Sequence, residues 1–188
     1  MDFTLIIAIV IGVLILFAIV VYNSLIGAKN SVEESSSAID TMFQNRYDLI
    51  PNLVEVVKQY ASHEKTLLEG VTKLRSSAMS GQEMTKEKLA GENALSGTLK
   101  SIFALGENYP DLKANENFIN LQNEWTNIEE NLQAARRAYN AAVKFLNNKK
   151  EMFPSNLIAS MMTFKEYPLF EAEEEAKETL DAKDLFAK

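Results

Sequence analysis

Nineteen consecutive residues, Phe3 to Val21, carry no charge and are interrupted only by Thr4 and Gly12. At about 1.5 Å rise per residue such a run makes a helix of about 28 Å, close to the hydrocarbon thickness of a bilayer. The expected anchor side chains are Phe3, Leu5, Ile6, Ile7, Ile9, Val10, Ile11, Val13, Leu14, Ile15, Leu16, Phe17, Ile19, Val20 and Val21. A cleaved secretory signal needs a basic leader, a shorter apolar core and a small-x-small cleavage site. Here Asp2 precedes the run, and Tyr22, Asn23, Ser24, Leu25 and Ile26 follow it without that pattern. We therefore expect a single-pass anchor, with the lipid bilayer as the first partner.

Basic residues favour the cytoplasmic side, and Lys29 and Arg46 follow the span while none precedes it. The expected topology is N-terminus out and body inside. Only Met1 and Asp2 lie ahead of the span in this sequence, so no receptor on that side is expected. The chain has no cysteine, which permits a reducing compartment without requiring one.

The chain divides by composition into three parts: an anchor over 1–22, a helical body over 23–165 and an acidic tail over 166–188. From Glu171 onward, seven acidic side chains face three lysines. Anionic lipid repels such a tail. The formal net charge of −7 argues against a nucleic-acid partner, which calls for a basic patch.

The body reads as all-α. Leu25, Ala28, Val32, Ser35, Ile39 and Met42 alternate by three and four, so the anchor should continue as the first bundle helix. Its small side chains leave room for a close neighbour. Pro51 disfavours helix at Ile50 and suits a first helical turn, which predicts a chain reversal over Asn45 to Ile50. A second seam runs Leu53, Val57, Tyr60, Glu64, Leu67, Val71, Leu74. Thr85 is the expected N-cap of a weaker third helix carrying Leu89, Leu95, Leu99, Ile102 and Phe103, with Gly91 and Gly97 lowering its propensity. The fourth helix is the most regular: Phe118, Leu121, Trp125, Ile128, Leu132, Ala135, Tyr139, Ala142 and Leu146. Pro154 should end it, with a short helix within Ser155 to Met162 and a helical tail over Ala172 to Lys183. No segment alternates with a period of two. The expected architecture is a transmembrane helix continuing into an antiparallel bundle of about four long helices.

Little in the chain points to catalysis. A carboxylate-bridged dimetal bundle needs two Glu-x-x-His motifs, and the single histidine, His63, has Tyr60 three residues before it. Four residues after it stands Leu67, which excludes a zinc-protease helix. Thiol chemistry, a nucleophile elbow and glycine-rich phosphate loops are all missing. No cofactor, metal site or catalytic residue is expected. Charged residues near seams, Arg46, Asp48, Glu64, Arg75, Glu107, Glu129 and Arg136, are candidates for a structural polar network that sets register. The alternative for Glu64 is a polar pocket for an ion or a partner side chain. Trp125 and Tyr139 fall at helical spacing and are read as core.

These segments also resemble one family. The stretches YNSLIGAKNSVEESSSAID, R-x-D-L-I-P-N-L at Arg46 to Leu53, Y-P-D-L-K-A at Tyr109 to Ala114, A-R-R-x-Y-N at Ala135 to Asn140 and F-P at Phe153-Pro154 stand in the order of the bacterial LemA family. Leu146 is a small departure, since an aromatic is expected there. The resemblance implies a single-pass protein of the bacterial inner membrane with a cytoplasmic long-helix bundle and no catalytic residues. LemA-like proteins often accompany membrane metalloproteases and quality-control components, which implies a protease-linked adaptor. From the residues themselves, the small-residue seam on the first helix and the long, regular fourth helix lead us to expect a scaffold that self-assembles as a homo-oligomer; the alternative is a membrane-bound regulator or sensor of a protease or stress system, and after it a metal-dependent enzyme.

Overall fold

The computed structural model describes residues 3–80 and 84–171, and among them there are helices and connections but no strand. In chain order these are α1 (Phe3–Tyr60), α2 (Lys65–Met79), α3 (Lys86–Ala104), the short α4 (Pro110–Lys113), α5 (Glu116–Glu151) and the short α6 (Ser155–Ala159). The tail expected to be helical over Ala172 to Lys183 lies outside the described residues.

The 58 residues of α1 form one helix that holds both the apolar run and the first bundle helix. The side chains from Phe3 to Val20 that are large and apolar stand 43–76% exposed, and nothing in the described chain covers this end. Burial begins at Leu25 and continues through Ala28, Val32, Ile39, Phe43, Leu53 and Val57. The remaining length of α1 matches that of α5, whose 36 residues make about 54 Å. The two run antiparallel, with contacts joining Ser24 to Lys149, Arg46 to Glu129 and Tyr60 to Asn115. The α5 seam is as the spacing predicts, with Phe118, Leu121, Ile128, Leu132, Tyr139 and Leu146 buried and Trp125, Ala135 and Ala142 packed at its margin. Helices α2 and α3 form a hairpin on this pair. Two caps fix the starts: Thr85 accepts from the Lys88 N–H at 3.2 Å, and Asn115 accepts from the Phe118 N–H at 3.0 Å.

The reversal expected over Asn45 to Ile50 does not occur. Helix α1 passes straight through Pro51, and the chain turns ten residues later, between Tyr60 and Lys65. Proline in a helix interior leaves the carbonyl four residues back without its donor, here that of Tyr47. The Arg75 guanidinium from α2 fills that gap, its Nε donating to the Tyr47 carbonyl at 2.7 Å. Burial of Tyr47, Leu49, Ile50 and Leu53 around the site further offsets the local cost. The seam read as one helix from Leu53 to Leu74 is therefore split between α1 and α2.

This repair is testable. Arg75→Ala should cost about 1–3 kcal/mol, the range for a buried acceptor losing a charged donor. In a Pro51→Ala background the restored N–H can serve Tyr47, so most of that loss should disappear. A double-mutant cycle by denaturant titration measures the coupling. Strictly additive losses would contradict the assignment.

Residues 163–171 run back along the bundle without regular secondary structure. Phe164, Tyr167 and Phe170 pack on the core, and Asn140 holds Phe170 by two hydrogen bonds, its Nδ2 donating to the Phe170 carbonyl at 2.8 Å and its Oδ1 accepting from the Phe170 N–H at 2.9 Å. The first residues assigned by composition to the tail thus lie against the bundle.

Candidate functional site

Two features stand out from a well-packed bundle: the bare apolar helix and a charged cluster buried at mid-height. The cluster centres on Arg46, which is 0% exposed. Its Nη1 donates to Glu129 Oε1 at 3.0 Å and to Ser96 Oγ at 3.1 Å, and its Nη2 donates to Glu92 Oε2. The Tyr47 hydroxyl donates to the other Glu92 oxygen, and Ser96 Oγ donates to Glu129 Oε1 at 2.9 Å. The Phe43 ring lies 5.1 Å below the guanidinium, a cation–π contact in a dry setting. One cation thus meets two carboxyl groups from α3 and α5, tying three helices to a single register.

Removing charges from water is costly, and the bonds of the two terminal guanidinium nitrogens offset that cost, while the buried Arg46 Nε has no hydrogen-bond partner among the described residues. Burial, followed by the hydrogen bond to Glu92, pushes the Tyr47 hydroxyl far above the usual phenol range. It remains a donor at neutral pH. Glu129 is the cluster's outlet, with its side chain 16% exposed. Together with Ser96, Trp125, Arg136 and Phe170 it lines an open groove of about 640 Å³.

Of the seven charged residues singled out from the sequence, the fold brings together Arg46 and Glu129. Asp48 is exposed and accepts from Gln44 on its own helix at 2.8 Å. Glu64 sits at the N-terminal cap position of α2 and accepts from the Tyr109 hydroxyl at 3.1 Å, which raises the Tyr109 pKa. Arg75 serves the Tyr47 carbonyl. Glu107 pairs with Lys113 at 2.9 Å in solvent. The Arg136 guanidinium lies 5.0 Å over the Phe170 ring. Glu92, Ser96 and Tyr47 were not anticipated. A signal for Glu92 existed: it occupies the α3 stripe between Leu89 and Leu95, where a carboxylate at a core position demands a partner.

Among the described residues no three His, Cys, Asp or Glu side chains are grouped to hold a metal ion. The buried charges are engaged with one another, so the cluster binds helix to helix.

An uncovered apolar helix that continues unbroken into an antiparallel four-helix body defines a helical-bundle protein with the hallmarks of a membrane anchor. Within that class the chain belongs to the LemA family, whose sequence model matches residues 35–183. It is 25% identical over 167 residues to Protein LemA of Metamycoplasma hominis, covering 87% of this chain and 74% of that one. It is 22% identical over 175 residues to Magnetosome protein MamQ 2 of Paramagnetospirillum magneticum, covering 80% of this chain and 64% of that protein. Magnetosome protein MamQ 1 of the same organism matches equally. The chain therefore spans under two thirds of the length of the two magnetosome relatives.

Proposed function

We propose that this protein is a non-catalytic scaffold or adaptor, held at the inner face of the bacterial membrane and able to self-assemble, with membrane proteases or envelope quality control as its class of partner. The observation that carries the reading is the continuity of α1. A helix without a hinge between membrane and body holds the bundle at a fixed height and angle, which suits a positioning role. The charged cluster supports the same reading, since its groups are spent on register.

A cytoplasmic orientation is supported by Lys29 and by three lysines that the fold adds at the same level, Lys144, Lys149 and Lys150. The protease link rests on the family resemblance alone.

Proximity labelling in living cells tests the proposal, comparing the full chain with a variant lacking Phe3 to Val21. The expected result is a set of neighbours dominated by inner-membrane proteins with cytoplasmic domains, lost on deletion. An unchanged set would contradict a role set by location. Cross-linking in native membranes tests self-assembly, and a strictly monomeric species at every expression level would remove that part.

A further inference from the structure

The end of the bundle nearest the anchor carries large apolar side chains that the fold leaves uncovered. Met152 is 63% exposed, Phe153 77%, Leu157 57% and Met161 84%. These residues cluster at the α5–α6 corner. Helix α6 packs against α1 and α5 with Ala159 buried, while Leu157 on the helix and Met161 in the turn that follows it stay exposed.

The register of α1 against α5 gives the height of this corner. Contacts pair residue 60 with 115, 46 with 129 and 24 with 149. Continuing that register from the last pair sets Glu151, where α5 ends, level with Tyr22, the first residue after the apolar run, and Met152 and Phe153 follow directly. Tyr22, 47% exposed, is the kind of aromatic found at a membrane interface. Lysines stand just above this level. Lys149 donates to Ser24 and lies over the Phe145 ring at 4.7 Å, Lys150 lies over the Phe164 ring at 5.4 Å, and Lys144 is exposed. Apolar side chains at the plane with basic ones behind them make up the composition of an interfacial segment.

We propose that Met152, Phe153, Leu157 and Met161 form a second membrane contact, seated without spanning in the headgroup region of the leaflet that faces the bundle. The proposal rests on the anchor reading, because the anchor sets the membrane plane. A two-point contact would prevent the body from swivelling about α1.

The chain has no cysteine, so single-cysteine variants carry one label each. Phe153→Cys, Leu157→Cys, Leu14→Cys and Ser62→Cys, all at exposed positions, would be labelled with an environment-sensitive fluorophore. The full-length chain would be reconstituted into phosphatidylcholine vesicles containing phosphatidylglycerol. At headgroup depth, lipid bearing a nitroxide high on its acyl chain should quench the 153 and 157 labels at least about twofold. The label at 62, at the far end of the bundle, should be unaffected, and that at 14 should respond to a nitroxide deep in the chain. If the 14 label responds while those at 153 and 157 behave like 62, the second contact is wrong and the anchor stands. If the 14 label is silent, the anchor reading itself fails. Labels at 153 and 157 that ignore nitroxide lipid but transfer energy between protomers would assign the patch to a second copy, overturning the lipid contact.

Discussion

Replacing Arg46 by leucine is expected to destabilise the bundle by about 3–5 kcal/mol, the cost of leaving a buried charge without its partner. The reason is Glu92, whose side chain is fully buried and loses its countercharge at a stroke. Glu129→Gln should cost much less, since the Glu129 side chain is partly exposed and the amide still accepts a hydrogen bond. Glu92→Leu should fall between them, because Arg46 keeps Glu129 and Ser96. The diagnostic variant is Arg46→Leu with Glu92→Leu, which should be more stable than Arg46→Leu alone. Denaturant titration of the full chain in lipid nanodiscs, followed by circular dichroism, gives all four values. A double variant as unstable as the sum of the singles would show that the pair contributes shape, with charge a minor matter.

Tyr139 provides the second large effect. It is 0% exposed and packs edge-on against Phe170 with ring centroids 5.5 Å apart. Tyr139→Ala should cost about 3–5 kcal/mol, as other large-to-small changes in cores do. Among the described residues its hydroxyl has no hydrogen-bond partner. Tyr139→Phe should therefore be within about 0.5 kcal/mol of the parent or more stable, because it removes a buried polar group that gains nothing in return. A loss above about 1.5 kcal/mol for Tyr139→Phe would mean that the hydroxyl is satisfied in solution.

The same ring predicts a pH dependence. Burial pushes the Tyr139 pKa up to about 12, while the unfolded chain ionises near the ordinary value of 10.0. Between those values the unfolded state has released a proton that the folded state still holds, so stability falls as pH rises. It should be flat below pH 10, apart from other groups, and decline toward 12. Tyr47 acts in the same direction. Tyr139→Phe should make the decline shallower.

The parts of this fold that were legible in the sequence are those where one stripe decides the structure. Helix α5 is such a case: Phe118 to Leu146 repeat so regularly that the seam, the length and the stop near Pro154 all follow. The apolar helix is legible because a nineteen-residue uncharged run has the length and composition of a membrane span, and in the structure nothing among the described residues covers it. Pro51 points locally to a break, but its cost is met from afar, by Arg75 twenty-four positions on, and no local pattern reports such a partner. Glu64 follows from the same feature: it is a seam residue only in a helix running from Pro51 to Leu74, and the chain turns between Tyr60 and Lys65. Asp48 lies two residues from Arg46 and hence about 200° round the helix, on the solvent side. Glu92 is harder to read, because glycines at 91 and 97 weaken the helical signal of α3, although its place among Leu89, Leu95 and Leu99 marks it as a buried carboxylate.

The central claim is that a lipid-embedded helix fixes a rigid bundle to the membrane, and that this placement is what the protein contributes. The most direct measurement is extraction of native membranes with alkaline carbonate, followed by detergent. Alkaline carbonate releases proteins held by surface contacts, while a helix embedded in lipid stays with the membrane. The account predicts that the full chain stays in the pellet and enters solution only with detergent, while a variant lacking Phe3 to Val21 is recovered in the supernatant. Recovery of the full chain in the carbonate supernatant would contradict it.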